Sequence, residues 1–252
     1  MVEISSLLPA ASPGLDDSAI ADHYSAGVGS PWLRVNFVSS LDGAATVDGK
    51  SGGLGGDADH RVFDILRRLC DVVLVASGTV KSEGYGAMVL DEESVAARVA
   101  AGLQPQPVFA IVSGSLDLDP ASDVFTKAPV RPLVFTVDSA PEHAALSKVA
   151  DVIPCGTRAL DPVQLVAELE ERRLGRIHCE GGPSFFGTLL AADVVDELCL
   201  TVSPLLVAGA SGRIAKGEVT EPRGMSLAGI LRSGDTLLLR YLRHPRHPRH
   251  LS

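Results

Sequence analysis

Apolar residues recur along this chain with two periods, and the two take turns. From Trp32 onward, β-branched runs at Leu33-Arg34-Val35-Asn36-Phe37-Val38, Val72-Val73-Leu74-Val75-Ala76 and Val108 to Val112 are separated by segments with helical spacing. Strand and helix in alternation predict a mainly parallel sheet covered on both faces. The clearest helix spans 57–69, where Val62, Ile65, Leu66 and Leu69 repeat at i, i+3, i+4, i+7 behind an Asp57 or Asp59 cap. Its outward face carries Arg61, Arg67 and Arg68. Further strands are expected at Leu133–Val137 and Val149–Ile153, and helices at Glu92–Ala100, Pro141–Lys148 and Pro162–Arg173. Arg176–Glu180 reads as a strand, Gly181-Gly182 as a turn, and Pro183–Ala192 as a helix with Phe185, Phe186, Leu189 and Leu190 facing inward.

The last third is richer in β pattern, with a long run at Glu197–Val207 and another at Thr236–Arg243. Two late strands without an intervening helix predict an antiparallel edge on the parallel sheet. Residues 1–30, rich in Ser, Ala, Gly, Pro and Asp, read as an arm or cover, with one amphipathic stretch at Asp17–Tyr24. Residues 244–252, with their repeated Pro-Arg-His, read as a disordered tail. No repeat or linker divides the 252-residue chain, so one domain, 31–243, is expected.

Composition narrows the partners. A formal net charge of −9 repels polyanions, so nucleic acid is not expected, and a phosphate-bearing ligand needs local cations and backbone amides. Cys70, Cys155, Cys179 and Cys199 form no C-x-x-C pair and are expected as buried free thiols in a reducing compartment. The N-terminus lacks a secretory pattern. The uncharged stretch Leu198–Gly212 falls short of the roughly 20 apolar residues of a membrane-spanning helix. A soluble, cytoplasmic protein without membrane contact is the expectation.

Two motifs fail on context. Gly53-Leu54-Gly55-Gly56-Asp57-Ala58 satisfies G-x-G-x-x-A, but no strand precedes it and Asp71 stands before the next strand rather than at its end. What remains is a glycine loop opening a helix, whose first amides can face an anion. His178-Cys179-Glu180 matches half of a zinc deaminase signature, but P-C-x-x-C is absent, so no metal site is expected and His178 reads as a strand residue facing a helix or solvent.

Two strand-to-helix junctions carry more. Val75-Ala76-Ser77-Gly78-Thr79-Val80 and Cys179-Glu180-Gly181-Gly182-Pro183-Ser184 each end a strand in small, hydroxyl-bearing residues. If both strands are parallel, these turns share one sheet edge, where glycine admits close backbone approach and helix amides meet phosphate. Glu180 at that edge can accept hydrogen bonds from an aminopyrimidine N–H pair; the plain alternative is an exposed strand end. Asn36 precedes the turn Ser40-Leu41-Asp42-Gly43 and can both donate and accept.

In their order and spacing, S-L-D-G, the glycine loop around Ser51, S-G-T-V and E-G-G-P-S, followed by Val195-Asp196-Glu197-Leu198, resemble the reductase domain of riboflavin biosynthesis enzymes from about Trp32 to Tyr241. The resemblance implies a dihydrofolate-reductase-like α/β fold over 31–243, with a mainly parallel central sheet, an antiparallel C-terminal edge and helices on both faces. It also implies NADPH as cofactor, a homodimer, and hydride transfer to the ribosyl C1 of a phosphoribosylamino-pyrimidine. No dedicated nucleophile is then required, since the cofactor supplies the hydride. Carried over by position, the cofactor meets Thr79, Glu83, Gly181, Gly182, Pro183 and Ser184, with Val38 and Gly53 toward the nicotinamide. Substrate meets Asn36, Ser51, Arg67 and Glu180, Arg67 holding the 5′-phosphate bidentately.

The sequence departs from the family pattern in three places. Asn36 stands where many bacterial two-domain relatives have Lys, and Asn is commoner in the archaeal and fungal branch, whose reductase acts before deamination. The stretch Glu83-Gly84-Tyr85-Gly86-Ala87 lacks the Arg that bacterial forms carry shortly after S-G-T-V. No deaminase half is present, so deamination is expected from a separate chain. Reduction of another pterin or pyrimidine such as dihydrofolate, and a non-catalytic nucleotide-binding regulator, stay open as alternatives.

Overall fold

Strand alternation sorts side chains onto the two faces of a single sheet, and each face acquires its own helical cover. The computed structural model describes residues 2–218 and 221–244. Its ten strands are β1 (Ser5–Leu8), β2 (Trp32–Ser40), β3 (Val72–Ala76), β4 (Val108–Val112), β5 (Leu133–Thr136), β6 (Asp151–Pro154), β7 (Arg176–Cys179), β8 (Glu197–Ser203), β9 (Met225–Ser233) and β10 (Thr236–Arg243). They are ordered β1-β9-β10-β8-β2-β7-β3-β4-β5-β6. All pairings from β8 to β6 are parallel, whereas β10 with β8, β9 with β10 and β1 with β9 are antiparallel. The expected α/β class, parallel centre and antiparallel edge are all present.

On one face, Leu33, Val35, Leu74, Phe135, Ile177 and Cys179 pack beneath α7 (Pro162–Glu171) and α8 (Pro183–Ala191). Phe185, Phe186 and Leu189 of α8 are buried there and Leu190 partly so, as its spacing predicts. The other face is covered by α1 (Asp17–Ser25), α2 (Asp57–Leu69), α3 (Ser77–Glu83), α5 (Asp123–Thr126) and α6 (Leu146–Val149), while α4 (Glu92–Ala100) packs on α2. The four cysteines are buried and free. Among the described residues no helix is long and apolar enough to cross a membrane.

Several expectations are corrected. Residues before Trp32 supply core as well as cover: β1 extends the sheet, and Ile4, Ile20 and Tyr24 are at most 1% exposed against α2. Polar composition hid this, because the apolar side chains there are few and only some of them, Ile4, Ile20 and Tyr24, are fully buried. Gly56 caps α2 without a side-chain bond, and Asp57 and Asp59 lie in its first turn. The face carrying Arg61 and Arg68 meets the N-terminal segment, with Arg61 on Asp17, Val2 O and Leu15 O, and Arg68 on Asp17. Ser77-Gly78-Thr79-Val80 is already helix, not a turn. The helix expected at 141–148 contracts to one turn at 146–149, which shifts the following strand to 151–154. The run from Glu197 leaves the sheet at Ser203, where Pro204 follows. The strand β9 went unseen because Gly229 and exposed polar positions break its alternation. From residue 245 on, the expected tail lies outside the described residues.

One buried cluster joins the parallel and antiparallel parts. Glu197 on β8, with its side chain fully buried, is held 3.0 Å from Arg34 of β2 and 2.9 Å from Arg240 of β10. Trp32 Nε1 donates to the same carboxylate at 2.7 Å. The two guanidiniums reach on to the backbone carbonyls of Tyr24, His23 and Ala26, tying down the end of α1. Burial pushes the Glu197 carboxyl up, but the two arginines outweigh it and leave it below the ordinary carboxylate value. Glu197→Gln leaves two buried cations without a counter-charge. It should cost roughly 3–5 kcal/mol, read as a lower denaturation midpoint with an unchanged slope.

Candidate active site

Alternate residues of β2, β7 and β8 share the face beneath α2. Arg34 is in register with His178 and Glu197, Asn36 with Cys199, and Val38 with Thr201. The usual apolar floor is thus replaced by a polar stripe running along the strands. On α2, Asp59, Phe63 and Arg67 follow one another at four-residue spacing and stand over this stripe. Thr201 Oγ1 donates to Asp59 at 2.5 Å, Phe63 meets His178 edge-on with centroids 6.2 Å apart, and Arg67 reaches Glu180. Toward the carboxyl ends of the strands, helix and sheet part to leave a cleft of about 520 Å³. Open α/β sheets bind their ligands at that edge.

Glu180 is the most tightly held acid in the cleft. Its side chain is 1% exposed, so it is not a solvated strand end. Arg67 donates to it bidentately, at 2.6 and 2.8 Å, and Tyr85 Oη donates at 2.8 Å. Phe63 backs the guanidinium at 4.2 Å from its ring centroid. Burial pushes the Tyr85 phenol up and the neighbouring Glu180 charge adds to it, so Tyr85 remains a donor. The fork geometry expected for a phosphate is therefore used on Glu180, through Nε and Nη2.

The glycine turn forms another wall. Ala76 N donates to Gly181 O at 2.8 Å, which locks the turn to the end of β3. A Cβ on Gly182 would lie 2.5 Å from Thr79 Oγ1, so glycine is what lets α3 and the turn meet. Gly181, at φ +108°, sits against the Phe37 ring, which stacks on Phe186. A third wall is the glycine loop: Ser51 N donates to Glu83 Oε1 at 3.0 Å, tethering the loop to α3. Asp42, legible in the sequence only as a turn residue, accepts from Ser40 Oγ and from the amides of Ala208 and Val207, which hold its carboxyl down at about 2. S-L-D-G thereby anchors the loop after β8 over the end of β2.

Of the residues expected at the site, Asn36, Val38, Ser51, Arg67, Thr79, Glu83, Glu180, Gly182 and Pro183 line the cleft. Gly53, Gly181 and Ser184 do not: Gly53 packs on Val47, Gly181 is covered by Phe37, and Ser184 is exposed on the outer side of α8. The cleft also contains Asp59, His60, Phe63, Tyr85 and Thr46, which the motifs missed. The four-residue spacing on α2 was the available signal. Burial lifts the Asp59 carboxyl above its ordinary value, against the lowering effect of Thr201 and His60. No group of three or more His, Cys, Asp or Glu able to hold a metal occurs among the described residues.

The profile of the RibD C-terminal domain matches residues 31–239, nearly the whole sheet. The chain belongs to that family. A relative from Methanothermobacter thermautotrophicus, a 2,5-diamino-6-ribosylamino-4(3H)-pyrimidinone 5′-phosphate reductase, is 28% identical over 190 residues, covering 75% of this chain and 85% of its own. Riboflavin biosynthesis protein RibD of Escherichia coli is 27% identical over 199 residues, and the match spans only 53% of its length. Among solved structures, a pyrimidine reductase-like protein from Corynebacterium diphtheriae superposes with a TM-score of 0.79 at 24% identity, covering 90% of this chain and 99% of its own. The yeast riboflavin biosynthesis reductase Rib7 gives 0.65 at 16% identity, covering 90% and 98%. The resemblance drawn from the motifs is thus the correct one, and the fold is that of the RibD-type reductases.

Asp59 supplies a test of how the cleft is maintained. A carboxyl whose folded value is raised lowers stability at every pH above that value, and the loss vanishes below the unfolded value of about 3.9. Asp59→Asn should therefore melt at higher temperature than the parent at neutral pH, with the gain disappearing as acid is added. Thermal melts at the two pH values check this.

Proposed function

We propose that the chain is an NADPH-dependent reductase that opens the ribosyl group of a phosphoribosylamino-pyrimidine to a ribitylamino side chain. The observation that carries this reading is the cleft at the carboxyl ends of β2 and β7. There Asn36 and a buried, bidentately held Glu180 face the thin glycine turn across a family match covering 31–239. A nicotinamide cofactor fits the residues present. Gly182 and Thr79 meet with no room for a Cβ, so the turn lies flat, and Gly86 has open space where a side chain would stand. Thr79, Glu83, Gly182 and Pro183 would hold that cofactor, which supplies a hydride when bound.

The chain's own residues then position and protonate. Glu180, fixed by Arg67 and Tyr85, accepts N–H donors of the pyrimidine, and Asn36 meets its carbonyl or amino edge. Arg67 keeps only Nη1 for a phosphate oxygen. Asp59, lifted by burial and beside Asn36, is the acid suited to hand a proton to the sugar oxygen released as the ring opens. Phe37, Val38 and Phe63 keep water from the reacting carbon. Because Asn36 accepts as well as donates, it suits the diaminopyrimidinone, before deamination.

A homodimer belongs to the same reading. Leu200, Val202, Leu237 and Leu239 are half-buried on the face of β8 and β10 opposite α2, outside the three buried clusters, and a second copy would cover them.

NADPH oxidation with the diaminopyrimidinone and the aminouracil phosphates tests the activity. Consumption with either supports it, and tight NADPH binding without turnover on both would overturn it in favour of a regulator. Arg67→Ala should lower kcat/KM for the pyrimidine roughly ten- to hundredfold and leave NADPH affinity unchanged, whereas Thr79→Val should weaken NADPH. Arg68→Ala, whose partner is Asp17, should change neither.

A further inference from the structure

The polar stripe beneath α2 does not end at the substrate cleft. At the other end of the helix, Leu69 and Cys70 roof a second cavity of about 260 Å³, floored by Trp32 and Arg34 of β2 and by Arg176 and His178 of β7. Tyr24 and Ser25 at the end of α1 form its side. His178 is fully buried, and neither ring nitrogen has a hydrogen-bond partner; the nearest acid, Glu180, lies 3.5 Å from Nε2 and is already committed to Arg67 and Tyr85. An imidazole with both nitrogens unsatisfied in a dry interior is costly unless a ligand or water meets it. Burial, with Arg34 and Arg67 nearby, holds that ring well below its ordinary value, so it presents one N–H and one lone pair.

Charge around the cavity is one-sided. The charged residues lining it are both arginines, Arg34 and Arg176. Arg34 shares Glu197 with Arg240, and Arg176 has Asp71. Arg98, 1% exposed, donates only to carbonyls, one of them that of Cys70 in the roof. Four guanidiniums thus stand around this end of the stripe against two carboxylates. The remaining walls, Val28, Leu69, Leu103 and Ile177, are apolar.

We propose that this cavity is a second ligand site, separate from the substrate cleft, and that it takes a small organic carboxylate with an apolar body, the anion meeting Arg34 and the His178 N–H. The positive field selects the anion, and the apolar walls select its body over inorganic ions.

Trp32 is the chain's single tryptophan and lines this cavity but not the cleft, so its fluorescence reports on the second site without turnover. The probes are benzoate and its neutral isostere benzamide, added to the full chain with no pyrimidine or NADPH present. Benzoate should shift Trp32 emission saturably, and benzamide should bind at least about tenfold more weakly. His178→Leu should weaken benzoate, and Ser25→Phe, a plug at the exposed rim, should abolish the response without altering the melting temperature. Should His178→Leu not fold, Ser25→Phe decides alone. No saturable response to benzoate, equal binding of benzamide, or an undiminished response in Ser25→Phe would overturn the proposal. None of these readouts depends on the reductase activity.

Discussion

A single buried carboxylate, Glu197, ties side chains of β2, β8 and β10 to the end of α1, beside the backbone ladders that pair those strands. Removing a carboxylate and two guanidiniums from water is costly, and the ion pairs are supported by backbone carbonyls that accept from both arginines and by the Trp32 indole, which donates to Glu197. The cluster sets β8 against β2 on one side and β10 on the other, and it draws the end of α1 onto the sheet. The antiparallel extension, the N-terminal segment and the floor under α2 all follow from that placement.

With α2 so seated, the cleft is assembled from contacts that are individually ordinary. Arg67 and Tyr85 orient Glu180, glycine at 182 lets α3 lie against the turn, and Asp42 anchors the loop after β8. Each reaches across a different pair of elements. The site is rigid because its walls brace one another, while its acids differ in environment. Glu180 is neutralised by a fixed cation, whereas Asp59 has only a hydroxyl and the neighbouring His60 against burial.

Much of this was legible in the residues. The apolar runs placed β2, β3, β4, β5 and β7 to within a residue or two, because β3, β4 and β5 are apolar on both faces and β2 and β7 on one, and such runs carry a strong signal. The motif order pointed to the family, and nine of the twelve residues it marked line the cleft. What escaped did so for physical reasons. Apolar side chains are sparse in residues 2–30, which conceals that Ile4, Ile20 and Tyr24 are fully buried, and β9, on the antiparallel edge, alternates weakly around Gly229. Arg67 invited a phosphate because its partner stands 113 positions away, and only the fold brings Glu180 beneath it. Asp59 passed for a helix cap because Thr201 is equally remote.

The hydrogen bond from the Ser51 amide to Glu83 has a mechanical meaning. One end belongs to the glycine loop and the other to α3, the walls that the proposed function gives to substrate and to cofactor. A cofactor hydroxyl that takes up the Glu83 carboxylate therefore competes for the latch that keeps the loop in place. On that reading, occupancy on one side of the cleft would be felt on the other as a change in how freely the loop moves, and arrival of the first ligand would set the width of the door for the second.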